Sequence, residues 1–260
     1  MSDEILIEVC VDSVASAIAA ERGGARRVEL CSNLFEGGVT PSAGLIELVR
    51  AGTSLGLQVM IRPRSGDFCY TAEEFETMQR DIMVAKKLGA NGIVLGVLDA
   101  HGNVDTERTR RLVEVARPLS VTFHRAFDMS ADLFRALEDI CTTGADRLLT
   151  SGGEQTAWQG VQPIAQLVKE AQGRIVIMAG AGIDYDNAVS IIEQTGIKEI
   201  HVGLGSFIAS PMLHRNPRIS MGTAPGREYQ RSQVLEEDVL NLRRAITLAH
   251  IAADGRKNKG

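Results

Sequence analysis

Cysteine, proline and aromatic residues are all scarce in this sequence. The four cysteines, Cys10, Cys31, Cys69 and Cys141, form no C-x-x-C pair, which excludes the usual zinc-finger and thioredoxin-like spacings. No apolar run reaches the roughly 18 residues of a membrane span, and no signal-peptide core follows the acidic first residues. With 44% hydrophobic residues and only 7 prolines, the composition is that of an ordinary globular protein. We therefore expect a cytoplasmic protein that folds without disulfides or a structural metal.

Positive charge is also in deficit, because the formal net charge is −5 at neutral pH. A surface of this sign repels the phosphate backbone of nucleic acids, and no local basic stripe offsets it. We therefore expect neither nucleic acid nor a membrane as a partner.

Short apolar runs alternate with helical stretches along the chain. The runs are rich in Val, Ile and Leu and nearly continuous, which is typical of parallel strands covered on both faces. We predict strands at 5–11, 27–31, 58–62, 92–98, 120–124, 147–151, 174–179 and 199–203. We predict helices at 13–22, 41–56, 71–88, 106–116, 130–143, 157–171, 186–195 and 234–253. Eight such units predict a single (β/α)8 TIM barrel over residues 1–253, with a polar tail at 254–260.

Local signals refine this prediction. Thr40 is the predicted N-cap of the second helix, with Pro41 in its first position, and 71–74 reads as a capping box. The alternative fold, a doubly wound open sheet, is disfavoured because no G-x-G-x-x-G follows the first strand. The segment 207–233 reads as a long loop, which suits a lid or an interface arm.

Charged residues collect at the carboxyl ends of the predicted strands, where a TIM barrel carries its chemistry. They are the acids Glu8, Glu29 and Asp128 and the bases Arg62, Arg64 and Arg125. Because unpaired buried charge is costly, we expect the acids to face the bases. Two interpretations stay open: a structural ion-pair network, or an anion-binding and acid–base pocket, which the position of the charges favours.

Within such a pocket, His124 is the candidate general acid or base, because the pKa of histidine is easily moved across neutrality. The candidate assisting acids are Glu8, Glu29 and Asp128, and the arginines would clamp an anion. His201 is interpreted as a packed residue.

Small residues after the later strands are candidate anion ligands through their backbone N–H groups. They are Ser151, Gly152, Gly180, Gly182, Gly203 and Gly205. The alternative is that tight turns between strands and helices need glycine in any case.

Several chemistries are disfavoured. None of the six lysines ends a predicted strand, as a Schiff-base aldolase would require. No H-x-H pair suggests a metal-dependent hydrolase, and no nucleophile elbow is present.

Cys10 and Cys31 end adjacent predicted strands at matching positions. Neighbouring strands lie about 4.8 Å apart, so the two sulfurs could share one Cu(I) ion, which prefers thiolate ligands. The alternative is two small buried apolar residues.

Taken together, several motifs resemble the copper homeostasis protein CutC family over about residues 4–250. The motifs are Glu29-Leu30-Cys31, Gly37-Gly38-Val39-Thr40-Pro41, Ile61-Arg62-Pro63-Arg64-Ser65-Gly66-Asp67-Phe68, Thr122-Phe123-His124-Arg125-Ala126-Phe127-Asp128 and Leu149-Thr150-Ser151-Gly152. The resemblance implies a TIM barrel, a cytoplasmic homodimer and a role in copper homeostasis. It also implies a Cu(I) site at Cys10 and Cys31, but it supplies no reaction.

Two functional hypotheses follow. The first is a protein that binds Cu(I) through Cys10 and Cys31. The second is an enzyme acting on a small anionic or phosphorylated metabolite, held by Arg62 and Arg64 beside His124.

Overall fold

The computed structural model describes residues 5–221 and 226–257. Eight parallel strands close into one barrel in chain order. The strands are β1 (Leu6–Val11), β2 (Arg27–Leu30), β3 (Gly56–Met60), β4 (Gly92–Leu95), β5 (Ser120–Phe123), β6 (Arg147–Thr150), β7 (Val176–Gly180) and β8 (Glu199–Val202). The helices are α1 (Val14–Arg22), α2 (Ala43–Gly52), α3 (Ala72–Lys87), α4 (Thr106–Ala116), α5 (Leu133–Cys141), α6 (Val161–Ala171), α7 (Ala188–Thr195) and α8 (Glu236–Lys257).

Closure of the barrel confirms the predicted (β/α)8 fold. The first strand pairs with the last, with Glu8 opposite His201, which an open sheet cannot do. Strands β2 and β4 are buried at every position, because helices cover their outer faces and side chains fill the interior. This burial explains why the strands read as continuous apolar runs rather than as alternating ones.

Of the two predicted helix N-termini, the structure confirms one and corrects the other. The capping box of α3 is confirmed, with Thr71 and Glu74 each bonded to the backbone of the other. The predicted N-cap at Thr40 is wrong, because Ser42 caps α2 by accepting a hydrogen bond from Leu45 N. The Thr40 hydroxyl instead accepts a hydrogen bond from the backbone N–H of Arg62, at 3.0 Å.

The segment after β8 is more ordered than predicted. It contains an antiparallel pair, β9 (Ser206–Ala209) and β10 (Gln230–Gln233). Helix α8 continues to Lys257, past the predicted start of the polar tail. In the described ranges, no helix is both long and apolar enough to cross a membrane.

Candidate functional site

A cavity of about 420 Å³ opens at the carboxyl ends of the barrel strands. Four of the predicted charged or reactive side chains that line it are Cys10, Glu29, Arg62 and His124. Arg125 and His201 line it as well, and Ser232 and Gln233 of β10 border it. The strand pair after β8 therefore lies at the rim of this cavity.

The carboxylate of Glu8 is fully buried between two neighbouring strands. Its register places it opposite Arg27 on β2 and opposite His201 on β8. Glu8 Oε1 accepts a hydrogen bond from His201 Nδ1 at 2.8 Å, and Glu8 Oε2 forms an ion pair with Arg27. Burial raises the pKa of Glu8, but His201 and Arg27 outweigh it and lower the pKa to about 2.

The ion pairs continue across the barrel interior. Arg27 also pairs with Glu199 of β8, and Arg147 Nε of β6 lies 2.5 Å from the same carboxylate. Burial raises the pKa of Glu199, but these two arginines lower it overall. Glu8, Arg27, Glu199 and Arg147 thus form a structural ion-pair network inside the barrel.

This network corrects the expected pairing. Glu8 does not face Arg62, Arg64 or Arg125, because Arg27 and His201 already flank it. The strand-end pattern does not predict Arg27, Arg147 or Glu199 as members of the network, and the interpretation of His201 as a packed residue misses its bond to Glu8. The signal was available, because Arg27 and Glu199 lie two residues before Glu29 and His201, on the same strand faces.

One pH dependence follows from the low pKa of Glu8. A carboxylate with a lowered pKa stabilises the fold above its usual pKa of about 4.5, and this contribution is lost as the pH falls through about 2. We therefore expect Glu8→Gln to lower the free energy of unfolding by the largest amount at neutral pH. The loss should become smaller as the pH falls toward about 2. Urea unfolding at a series of pH values measures it. A difference that does not change with pH would show that Glu8 is not ionised in the fold.

The two predicted copper-binding cysteines lie on either side of Glu29. The barrel is staggered, so Cys10 is opposite Glu29 rather than Cys31, and the expectation of matching strand positions is wrong. The Sγ atoms of Cys10 and Cys31 lie 3.5 Å and 3.3 Å from Glu29 Oε2. One oxygen of Glu29 and the two sulfurs all lie within 4.8 Å of one another.

Each ionisable group in this cluster changes the pKa of its neighbours. The hydrogen bond from Cys31 lowers the pKa of Cys10 to about 5; burial opposes this shift and His201 reinforces it. Donating that hydrogen bond raises the pKa of Cys31 well above its usual value. Burial raises the pKa of Glu29 to about 8. Burial also disfavours the charged form of His201, but Glu29 and Cys10 outweigh it and raise the pKa well above 6.5.

Arg62 and His124 occupy another part of the cavity wall. Arg62 is tied to three backbone carbonyls, those of Glu36 at 2.8 Å, Gly38 at 2.9 Å and Gly66 at 2.7 Å. The ring of His124 accepts a hydrogen bond at Nδ1 from the Ala126 N–H, at 3.1 Å. Arg62 Nε and His124 Nε2 are buried and have no hydrogen-bond partner among the residues that the structure describes.

The environment of His124 favours a different role from general acid or base. Burial, followed by the charge of Arg62, lowers the pKa of His124 to about 3. A neutral ring whose Nδ1 accepts a hydrogen bond carries its proton on Nε2. His124 therefore presents a neutral N–H donor at physiological pH.

Three of the remaining candidates lie apart from this cavity. Arg64 pairs with Glu74 at 2.6 Å and with Asp67 on the loop after β3. The Asp128 carboxylate accepts hydrogen bonds from Thr150 Oγ1, Ser151 N, Ser151 Oγ and Gly153 N. It also pairs with Arg125 Nε at 2.8 Å. Asp128 and Ser151 therefore order the loop after β6, and they do not line the cavity.

The candidate glycines fall into two groups. Gly182, Gly203 and Gly205 line the cavity, and a Cβ added at Gly203 would meet nothing within 4 Å. Gly152 and Gly180 do not line it. A Cβ there would lie 2.6 Å from Gly160 O and 2.6 Å from Leu149 Cδ1, so close packing accounts for these two.

Comparison with known proteins assigns the family. The CutC family model matches residues 5–206. A copper homeostasis protein cutC homolog from Mus musculus is 49% identical over 219 residues, covering 84% of this chain and 80% of that protein. A family protein CutC from Chromobacterium violaceum is 43% identical over 244 residues, covering 94% of this chain and 99% of that protein.

Solved structures agree. One from Streptococcus agalactiae, assigned as a copper homeostasis protein CutC, has a TM-score of 0.72 and 33% identity, over 76% of this chain and 97% of that one. The fold is also shared with a thiamine phosphate pyrophosphorylase from Pyrococcus furiosus, at a TM-score of 0.58 and 16% identity, over 95% of this chain and 97% of that one. The family model and the relatives together show that the chain belongs to the CutC family.

Proposed function

We propose that this protein binds Cu(I) as cargo through the thiolates of Cys10 and Cys31 and thereby serves copper homeostasis. The observation that carries the proposal is the clustering of both sulfurs and a Glu29 oxygen within 4.8 Å of one another. Cu(I) prefers soft sulfur ligands. The name of the mouse relative, copper homeostasis protein cutC homolog, supports the same conclusion.

The surroundings of the sulfurs suit this ion. Met60, whose thioether is another soft donor, packs with Cys31 in one small apolar cluster that Cys10 borders. The lowered pKa of Cys10 keeps one thiolate available at neutral pH, and metal binding would displace the proton of the second thiol. The cavity gives the ion a path from solvent, because Cys10 lines it.

Charge balance favours the same ion. A Cu(I) ion held by two thiolates carries a net negative charge, which is costly to bury without a nearby cation. His201 supplies that cation, because the raised pKa of its ring keeps it protonated and its Nε2 lies 3.8 Å from Glu29 Oε2. A divalent ion held by the same two thiolates would place one more positive charge beside the protonated His201. The charges in the site would then be less well balanced.

The test is an anaerobic Cu(I) titration of the reduced protein against a competing chelator. The unsubstituted protein is expected to bind one Cu(I) per chain, and Cys10→Ser/Cys31→Ser is expected to lose this binding. The matched control is Cys69→Ser/Cys141→Ser, which removes two thiols that lie apart from the cluster. The control variant should bind as the unsubstituted protein does.

Two results would contradict the proposal. One is Cu(I) affinity no greater than that of a simple thiol. The other is binding that persists in Cys10→Ser/Cys31→Ser while circular dichroism shows that this variant is folded. Either result would remove the physical basis of a copper role for this cluster.

A cytoplasmic location and a homodimer go with this proposal, as family resemblance implies. All four cysteines are free, as expected of thiols in a reducing compartment. Exposed apolar side chains between β9 and β10, at Met212, Leu213, Ile219 and Met221, offer a surface that a second copy could cover.

A further inference from the structure

Two buried N–H donors in the cavity wall have no acceptor. They are Nε of Arg62 and Nε2 of His124, and within residues 5–221 and 226–257 neither atom has a hydrogen-bond partner. Both side chains are at least nine-tenths buried, at 5% and 4% exposure, and both residues line the same cavity. Buried polar groups are normally paired, so an unpaired one requires an explanation.

The two donors belong to one cluster around Phe68. The guanidinium carbon of Arg62 lies 5.0 Å from the centre of the Phe68 ring, and the His124 ring centre lies 5.0 Å from the same point. Arg62 is close enough for its charge to lower the pKa of His124, beyond the larger effect of burial. The two side chains therefore lie against the same ring, close enough for the charge of Arg62 to act on His124.

The charge of Arg62 is also uncompensated. In the part of the chain that the structure describes, the guanidinium donates hydrogen bonds to three backbone carbonyls and forms no ion pair with a carboxylate. The hydroxyl of Tyr70 interacts with Arg62 but does not neutralise its charge, because burial raises the pKa of this phenol to about 12. A buried cation without a counterion is costly, and an anionic ligand would remove that cost.

His124 matches such a ligand rather than a metal ion or a cation. Its Nδ1 is occupied by the Ala126 N–H, so the ring can offer a ligand only a donor, the Nε2–H. Gly96 fixes this arrangement, because a Cβ there would lie 2.5 Å from His124 Nδ1. A neutral imidazole that donates from Nε2 stabilises negative charge on a substrate oxygen without releasing its proton.

We propose that the cavity has a second ligand site, in which Arg62 Nε–H and His124 Nε2–H bind the oxyanion of a small organic acid or phosphate ester. The cavity volume of about 420 Å³ admits a metabolite of modest size. The open space at Gly203 leaves room beside the ligand. The site uses none of the sulfur atoms proposed for Cu(I), so the two proposals stand or fall separately.

Calorimetric titration of the full chain tests this site with two probes, malonate for carboxylates and glycerol phosphate for phosphate esters. Saturable binding of either probe supports the site and identifies which oxyanion it takes. His124→Leu removes the donor and is expected to weaken binding about tenfold or more. His124→Gln keeps an N–H near the Nε2 position and is expected to retain most of the affinity.

Three further variants complete the design. Arg62→Gln is expected to weaken binding at least as much as His124→Leu. If it does not fold, the two His124 variants alone decide the result. The matched control Arg64→Gln removes a neighbouring arginine that pairs on the surface and should leave binding unchanged. Cys10→Ser/Cys31→Ser should also retain anion binding, which separates this site from the copper proposal.

The proposal is overturned if neither probe binds saturably at millimolar concentration. It is equally overturned if binding is the same in the unsubstituted protein and His124→Leu, since the anion then lies elsewhere. Loss of anion binding in Arg64→Gln, with retention in His124→Leu, would place the anion on the surface loop instead.

Discussion

Replacing Arg27 by Met is expected to lower the free energy of unfolding by about 3–5 kcal/mol, the usual cost of breaking a buried ion pair. Arg27 lies inside the barrel and bridges Glu8 and Glu199. Its removal leaves Glu8 with only His201 for compensation. A carboxylate deprived of its counterion in the interior must either take up a proton or admit water, and both destabilise the fold.

The matched control for this substitution is Arg80→Met. Arg80 pairs with Glu76 on the exposed surface of α3, at 2.5 Å, where such pairs are worth about 0.5 kcal/mol or less. Chemical denaturation of both variants at neutral pH gives the two free energies. Equal losses in the two variants would mean that the interior network contributes no more than a surface pair.

Replacing Asp128 by Ala is expected to cost about 3 kcal/mol of folding free energy, although Asp128 does not itself line the cavity. Its side chain is 5% exposed, and it accepts hydrogen bonds from the backbone N–H groups of Ser151 and Gly153. Alanine would leave the buried N–H of Ser151 and the buried hydroxyl of Thr150 without this acceptor, at about 1–3 kcal/mol each, while the exposed Gly153 N–H can turn to water. The loop after β6 is thereby expected to loosen.

Asp132→Ala is the matched control for Asp128→Ala. Asp132 is an exposed N-cap of α5, bonded to the N–H groups of Phe134 and Arg135, and loss of such a cap costs about 1 kcal/mol. Thermal unfolding and amide exchange of Gly153 measure the difference. If Asp128→Ala loses no more stability than Asp132→Ala, the carboxylate does not organise the loop. A functional role for Asp128 would then be the better explanation of its position.

The alternation of apolar runs and helical stretches was enough to predict the fold. A buried parallel strand is recognisable in the sequence because its few residues form one continuous apolar run. The placement of Cys10 and Glu29 at the mouth of the barrel followed from the same reasoning, whereas Glu8 lies deeper, in the ion-pair network of the interior. Which side chains pair was not predictable in this way. Pairing depends on the stagger between strands, and the stagger sets Cys10 opposite Glu29 rather than opposite Cys31.

His201 and Arg27 show a second limit of the sequence analysis. Each lies in a short predicted strand two residues from another charged or ionisable residue, Glu29 or Glu199, and such residues are often satisfied locally. Their importance arises from partners distant in the sequence, such as Glu199, which is 172 residues from Arg27. The strands β9 and β10 were missed for a related reason, since their short, mixed sequences carry neither alternation nor a continuous apolar run.

The ion-pair network inside the barrel has a consequence for how the chain folds. Its members come from both ends of the sequence, because Glu8 and Arg27 belong to the first two strands and Glu199 to the last. An incomplete barrel, such as a chain still lacking β8 during synthesis, holds Arg27 without one of its two carboxylates. Arrival of the last strand therefore supplies a counterion together with the final row of backbone hydrogen bonds. The buried charges are therefore neutralised only when β8 pairs with β1 and the sheet closes. A partly closed barrel keeps an unpaired buried charge and is less stable, so folding becomes more cooperative.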